Sequence, residues 1–78
     1  CVHCRKLWQL LAHEKLSSRI AQLDTRYLDA DQHQDLATTL GVRGLPTLLL
    51  LKAGQPATRA PAQLSVDNLF DWLNRAAE

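Results

Sequence analysis

The sequence predicts a layered α/β domain, and three stretches of the chain carry that prediction. From Cys4 to about Leu16, leucines recur at helical spacing with no Pro or Gly between them, which is typical of an amphipathic helix. Residues 48–51 are consecutive leucines that follow a Pro and precede a Gly-containing turn, which favours a buried strand over a helix. A last helix is expected to begin at Ser65 and to present a broad apolar face.

Between the first helix and the leucine run, the sequence predicts a strand followed by a short helix. Thr25–Ala30 is the strand candidate. Asp31 is placed to cap a helix over residues 34–40, and Gly41 is placed to end it in the C′ position. If the Thr25–Ala30 strand and the leucine strand are parallel, this helix makes the connection a right-handed crossover.

The leucine run is expected to form one arm of a hairpin. Its strand spans residues 47–52, and Ala53-Gly54 supplies the turn. Thr58–Ala62 then returns as a weaker strand at an edge, because Pro61 cannot donate to a ladder hydrogen bond. Four leucines in succession also predict that both faces of the first strand are covered.

Composition excludes several classes of function. The chain has 78 residues, 46% of them hydrophobic and 22% charged, which suits one small globular domain over residues 1–78. Nine basic residues are scattered among eight acidic ones for a net charge of +1, so no stripe for binding nucleic acid is indicated. No apolar stretch approaches the roughly 20 residues that a membrane-spanning helix needs.

The two cysteines, Cys1 and Cys4, are the residues most informative about chemistry. A pair separated by two residues closes too small a loop to staple a fold, and this spacing suits redox chemistry or a metal site. A zinc site would take His13 or His33 as partners. Zinc sites commonly contain a second close pair of ligands, which this chain lacks, so no metal is expected.

A helix that begins at the cysteine pair would favour thiol chemistry at Cys1. Unpaired backbone N–H groups and the positive end of the helix dipole stabilise a thiolate there, and the thiolate is the nucleophile in disulfide exchange. Cys4 lies one turn further along, close enough to attack a mixed disulfide formed on Cys1. Val2 and His3, between the two cysteines, are therefore expected to tune the redox behaviour of the pair. Lys6, with its neighbour Arg5, adds positive potential.

Pro46 is the second candidate site. A Pro just before a buried strand can adopt the cis form, which is uncommon and usually marks a tight turn. The backbone around Gly44 and Leu45 could then pair with an extended substrate segment by strand addition. The alternative is a trans Pro that only begins the strand.

Taken together, these motifs resemble the thioredoxin family over nearly the whole chain. The resemblance lies in the Cys1-x-x-Cys4 motif, in Asp-Ala-Asp at 29–31, in the specific stretch GVRGLPTL at 41–48, and in Lys-Ala-Gly at 52–54. It implies a thioredoxin-like fold with three α/β/α layers and a mixed central sheet. It also implies a protein-disulfide oxidoreductase in which Cys1 attacks, Cys4 resolves and cis Pro46 faces the site. Protein dithiols or disulfides would be the substrates, a redox partner protein would cycle the pair, and no cofactor is implied.

The chain also departs from the family pattern. Tyr27 stands where a buried Lys would align, and Gln9 stands where a Pro would kink the long helix. Nothing corresponds to the first β-α-β unit of the family, about 30 residues in such motifs. We therefore expect a truncated domain whose missing strand comes from upstream residues or another chain. The compartment stays open, with the bacterial periplasm slightly favoured over the cytoplasm.

A non-catalytic interpretation is kept beside the enzymatic one. In it the same domain serves binding or assembly, and the apolar surface around Val42, Leu45 and Pro46 is a docking patch. The intact cysteine pair favours the enzyme.

Overall fold

The computed structural model describes residues 1–77, which form four helices and one antiparallel pair of short strands. In chain order the elements are α1 (Val2–Leu11), α2 (Glu14–Ile20), α3 (Gln34–Thr39), β1 (Leu49–Leu50), β2 (Thr58–Arg59) and α4 (Val66–Ala76). The α/β class predicted from the sequence is confirmed, with a sheet of two strands in the part of the chain described.

The first predicted helix is divided into α1 and α2 at His13. The backbone of His13 is extended (φ −60°, ψ 137°), and its Nδ1 accepts a hydrogen bond from the backbone N–H of Lys15 at 3.1 Å. This capping bond begins a new helix, so the break needs no proline. Ser17 and Ser18 lie inside α2.

The predicted strand at Thr25–Ala30 is wrong. Residues 24–29 have no regular secondary structure. Over residues 1–77, no backbone–backbone hydrogen bond involves Thr25, Arg26, Tyr27 or Leu28. A strand exists only through its pairing, and the segment has no neighbouring strand to pair with.

Helix α3 begins at Gln34 and has Gly41 in the C′ position, both as predicted, but the residue at its N-cap differs from the prediction. At its end, Gly41 (φ +76°) donates to the carbonyl of Thr38 at 3.0 Å, and Val42 donates to that of Ala37 at 2.8 Å. This is the Schellman arrangement, which the left-handed conformation of Gly41 makes possible. The predicted cap at Asp31 is wrong. The backbone N–H of Asp31 donates to Asp29 Oδ1 at 2.9 Å, and the residue at the N-cap position is His33.

The hairpin forms where it was predicted, with shorter strands. Leu49 pairs with Arg59 and Leu50 with Thr58, and the backbone N–H of Ala60 donates to the carbonyl of Leu48 at 3.0 Å. Leu48 and Leu50 pack against the core. Just after β1, however, Leu51 is 65% exposed, so the prediction that both faces of this strand are covered is wrong.

The core lies between α1, α2 and α4. Its buried members are apolar: Leu7, Leu16, Leu69, Trp72 and Leu73. Lys15 links α2 to α4, because its Nζ lies 3.2 Å from Asp67 Oδ1 and 4.4 Å from the centre of the Phe70 ring. The start of α4 at Ser65 is confirmed, with Ser65 Oγ accepting from the backbone N–H of Asn68 at 3.1 Å. Leu7 is the α1 member of the buried cluster, and it packs the helix that carries the cysteine pair against α2 and α4.

Residues 1–77 contain no helix with the length and apolarity required to cross a bilayer.

Candidate active site

Cys1 and Cys4 are joined by a disulfide bond, with their Cα atoms 5.2 Å apart. The two residues differ in accessibility, because Cys1 is exposed and Cys4 is half-buried. An incoming thiol would therefore meet the sulfur of Cys1 first. The roles of Cys1 as attacking thiol and Cys4 as resolving thiol stay predictions.

Cys1 occupies the N-cap position of α1. Its Sγ accepts a hydrogen bond from the backbone N–H of Cys4 at 3.2 Å, as a capping serine or aspartate oxygen would. The first turn of α1 contains no acidic residue to oppose the positive end of the helix dipole. After reduction, the same backbone groups would favour a thiolate over a thiol at Cys1.

Cationic and titratable side chains follow the first cysteine along α1. His3, Arg5 and Lys6 are all exposed, so solvent screens the positive charges of Arg5 and Lys6. Val2 is 69% exposed and lies in neither of the cavities described below.

The Pro46 loop, residues 41–48, is held by two side-chain hydrogen bonds. Its Leu45–Pro46 peptide bond is cis, Leu45 is 57% exposed and Pro46 is half-buried. Thr47 Oγ1 donates to the Gly44 carbonyl at 2.6 Å, within the loop. At the start of the loop, Arg59 Nη2 donates to the carbonyl of Gly41 at 2.6 Å, which ties the loop to the hairpin.

Two neighbouring cavities connect the cysteine helix with the Pro46 loop. The smaller, about 190 Å³, is lined by His3, Lys6, Leu7, Leu10, Ala62 and Leu64. The larger, about 340 Å³, includes Gly44, Leu45, Pro46, Thr47, Leu48, Arg59, Ala60 and Pro61 in its walls. Leu7, Ala62 and Leu64 line both. We call the two cavities together the α1 groove.

The α1 groove thus brings together His3 and the three candidate residues Gly44, Leu45 and Pro46. Sequence reasoning missed the wall formed by residues 59–64, which includes Arg59, Ala62 and Leu64. Nothing in residues 59–64 marks a cavity wall, because the groove exists only through the spacing between that segment and α1. The one available signal was Pro61, which predicted an irregular edge.

No group of three or more His, Cys, Asp or Glu residues that could hold a metal ion occurs among residues 1–77. His13 and His33, considered as partners for the cysteines, are both exposed, and the one at position 13 caps α2 through its Nδ1.

Comparison with known proteins adds independent information. The family model described as Thioredoxin matches residues 1–75. Over 96% of its length, the chain is 31% identical to protein disulfide-isomerase 1 of Caenorhabditis elegans. It is 43% identical, over 73% of its length, to protein disulfide isomerase-like 2-2 of Oryza sativa subsp. japonica. Over 94% of its length, it is 30% identical to a thioredoxin of Rhodospirillum rubrum.

The fraction of each relative's length that the chain covers differs greatly. The chain covers 16% of each of the two disulfide-isomerase relatives and 69% of the thioredoxin. No solved structure matches the chain at a significant level.

Proposed function

The chain belongs to the thioredoxin family, and we propose that it is a thiol–disulfide oxidoreductase that exchanges its Cys1–Cys4 disulfide with protein substrates. The observation that carries the proposal is the disulfide at the N-terminus of α1, with one sulfur exposed and the other half-buried. The relatives named protein disulfide-isomerase and thioredoxin are consistent with it.

In the reducing direction, the thiolate of Cys1 attacks one sulfur of a substrate disulfide. A bond forms between Cys1 Sγ and that sulfur, and the other substrate sulfur leaves as a thiolate, which takes up a proton. Cys4, deprotonated, then attacks Cys1 Sγ, forms the Cys1–Cys4 bond and releases the second substrate thiolate. Two electrons pass from the dithiol to the substrate, and the oxidising direction is the reverse of these steps.

The direction of exchange depends on the reduction potential of the Cys1–Cys4 pair, for which 30 mV corresponds to about 1.4 kcal/mol. We propose that Val2 and His3 set this potential, because they are the residues between the two sulfurs. A His that stabilises the thiolate favours the dithiol form, which makes the disulfide the stronger oxidant. Pro46, Leu45 and Gly44 are proposed to contact the substrate backbone, since all three line the α1 groove.

The proposal is tested by trapping a mixed disulfide with a reducible protein such as insulin. We expect Cys4→Ser to accumulate a mixed disulfide through Cys1, and Cys1→Ser, the matched control, to accumulate none. Turnover by both variants should fall to the level measured without protein. If Cys4→Ser traps no partner, or both variants trap equally, Cys1 is not the attacking thiol.

Equilibration with glutathione adds a measurement of the pair itself. We expect a reversible dithiol couple in the wild type and a less oxidising couple in His3→Pro. An unchanged potential in that variant would remove the tuning role of His3. A pair that cannot be cycled would favour a non-catalytic binding module, for which the exposed Leu45 beside the larger cavity would be the contact.

We also propose that a further strand pairs with this domain, from upstream residues of the same protein or from another chain. Three observations support it: β1 pairs only with β2 among the described residues, Thr25–Leu28 make no backbone hydrogen bond there, and Leu51 and Tyr27 are 65% and 73% exposed. Amide hydrogen exchange would test it. Amides of Thr25–Leu28 should exchange rapidly in the 78-residue chain and be protected in the protein isolated from its source. Rapid exchange in both would contradict an added strand.

A further inference from the structure

The walls of the α1 groove differ from the rest of the protein surface in charge. Within residues 1–77, its charged or titratable side chains are His3 and Lys6 in the smaller cavity and Arg59 in the larger, and no Asp or Glu from that part of the chain lies in either wall. The chain as a whole is nearly neutral, with nine basic and eight acidic residues. For the described part of the chain, positive charge is therefore concentrated at the groove, and the carboxylates lie outside it.

Lys6 also makes no ion pair with any other residue of 1–77. The ion pairs of residues 1–77 are Lys15–Asp67 and Arg26–Asp24, and neither involves a residue of the groove. Arg59 uses Nη2 to hold the Gly41 carbonyl, an uncharged acceptor, so its positive charge is not neutralised. A carboxylate entering the groove would meet cations without having to displace an Asp or Glu of the described residues.

The remaining walls are apolar. Leu7, Leu10 and Leu64 line the smaller cavity, and Pro46 and Leu48 line the larger. A surface of apolar walls with cations at separate positions fits a peptide that carries an acidic side chain among apolar ones. A small free anion would leave most of that apolar surface uncovered.

We propose that the α1 groove selects peptide substrates with an Asp or Glu close to the disulfide-forming cysteine. The inference rests on the proposed disulfide exchange, because the reacting sulfur of the substrate must reach Cys1. Lys6 lies five residues beyond Cys1 on the same helix and is the principal specificity-determining residue, while Arg59 extends the positive surface toward the Pro46 loop. Charges arranged in this way favour encounter with the acidic partner and disfavour the basic one.

The test uses three peptide disulfides of identical sequence except for one residue beside the cysteine, which is Glu, Gln or Lys. We expect kcat/KM for the Glu peptide to exceed that for the Gln peptide about fivefold and that for the Lys peptide about 20-fold at low salt, the scale of an exposed charge pair. Because Lys6 is exposed, most of the preference should disappear at 0.5 M salt.

Two variants that each remove one positive charge distinguish an effect of the groove from an effect of the overall positive potential of α1. Lys6→Gln should reduce the preference for Glu over Lys peptide to about fourfold. Arg5→Gln removes the same charge from the neighbouring residue, whose side chain lies outside both cavity walls. This variant should retain most of the preference for the Glu peptide. Equal losses in the two variants would assign the preference to the field and overturn the role of the groove.

The outcomes for this inference and for the proposed function are distinguishable. The uncharged Gln peptide reports on exchange alone. If all three peptides react at equal rates, the preference for acidic substrates is refuted and the oxidoreductase stands. If none reacts, the proposed exchange fails, and the inference that rests on it fails too.

Discussion

The carboxyl-terminal helix and the segment at residues 24–29 differ in how many independent contacts hold each in place. α4 has a side-chain cap at Ser65, three buried side chains and a link through Asp67 to α2. Residues 24–29 have a local ion pair between Asp24 and Arg26, one ring contact, Tyr27 with Trp8 at 5.5 Å between centroids, and turn hydrogen bonds accepted by Asp29. The difference shows that this chain concentrates its stability on the helical side, which carries the cysteine pair.

The largest expected effect compares one leucine from each region. Leu69→Ala removes a side chain with 0% exposure and should lower the free energy of unfolding by about 3 kcal/mol. Leu28→Ala removes one that is 47% exposed and should cost about 0.5 kcal/mol. Urea denaturation of the two variants, followed by circular dichroism, measures both values.

Equal costs for the two leucines would break the comparison between these regions. A cost for Leu28→Ala that is small in the 78-residue chain and rises above about 1.5 kcal/mol in the protein isolated from its source would sharpen it, because a partner strand would then bury this side chain.

A smaller effect is expected at the start of α4. Ser65→Ala removes the acceptor for the Asn68 N–H and should cost about 1 kcal/mol. Ser18→Ala is the matched control, since its hydroxyl only donates to the carbonyl of Glu14 inside α2. Denaturant midpoints should separate the two variants, and a larger loss at position 18 would mean that α4 does not depend on its cap.

The same contrast explains how much of the fold could be read from the sequence. Ser65 and Gly41 set helix ends through hydrogen bonds to residues within five positions, so a local pattern is enough to find them. Thr25–Ala30 has the composition of a strand, but strand formation requires a partner, which no local pattern reveals. His13 was missed as a helix break because histidine is an unusual cap.

The residues of the candidate site also differ in whether a local sequence pattern is enough to find them. Cys1 and Cys4 were found from their spacing alone, and Pro46 from its place before an apolar strand. Arg59 and Leu64 were missed because they reach the site through tertiary packing against α1. Chemistry-bearing residues could therefore be predicted, while the groove that would select a substrate could not.

The smallest expected effect concerns the ion pair within residues 24–29. The hydrogen bond from Arg26, followed by its positive charge, holds the pKa of Asp24 below the ordinary value of 3.8, against a minor opposing effect of burial. Because the folded-state pKa is the lower one, any stability from this pair is present above about pH 4 and is lost as the pH falls through the folded value. Both side chains are nearly four-fifths exposed, so the contribution should be close to the limit of measurement. Carboxyl-carbon NMR titration should show the Asp24 pKa returning toward its ordinary value in Arg26→Gln, while the denaturation midpoint at pH 7 stays within error. A marked loss of stability in that variant would mean that residues 24–29 are held as firmly as α4, and the contrast between the two regions would fail.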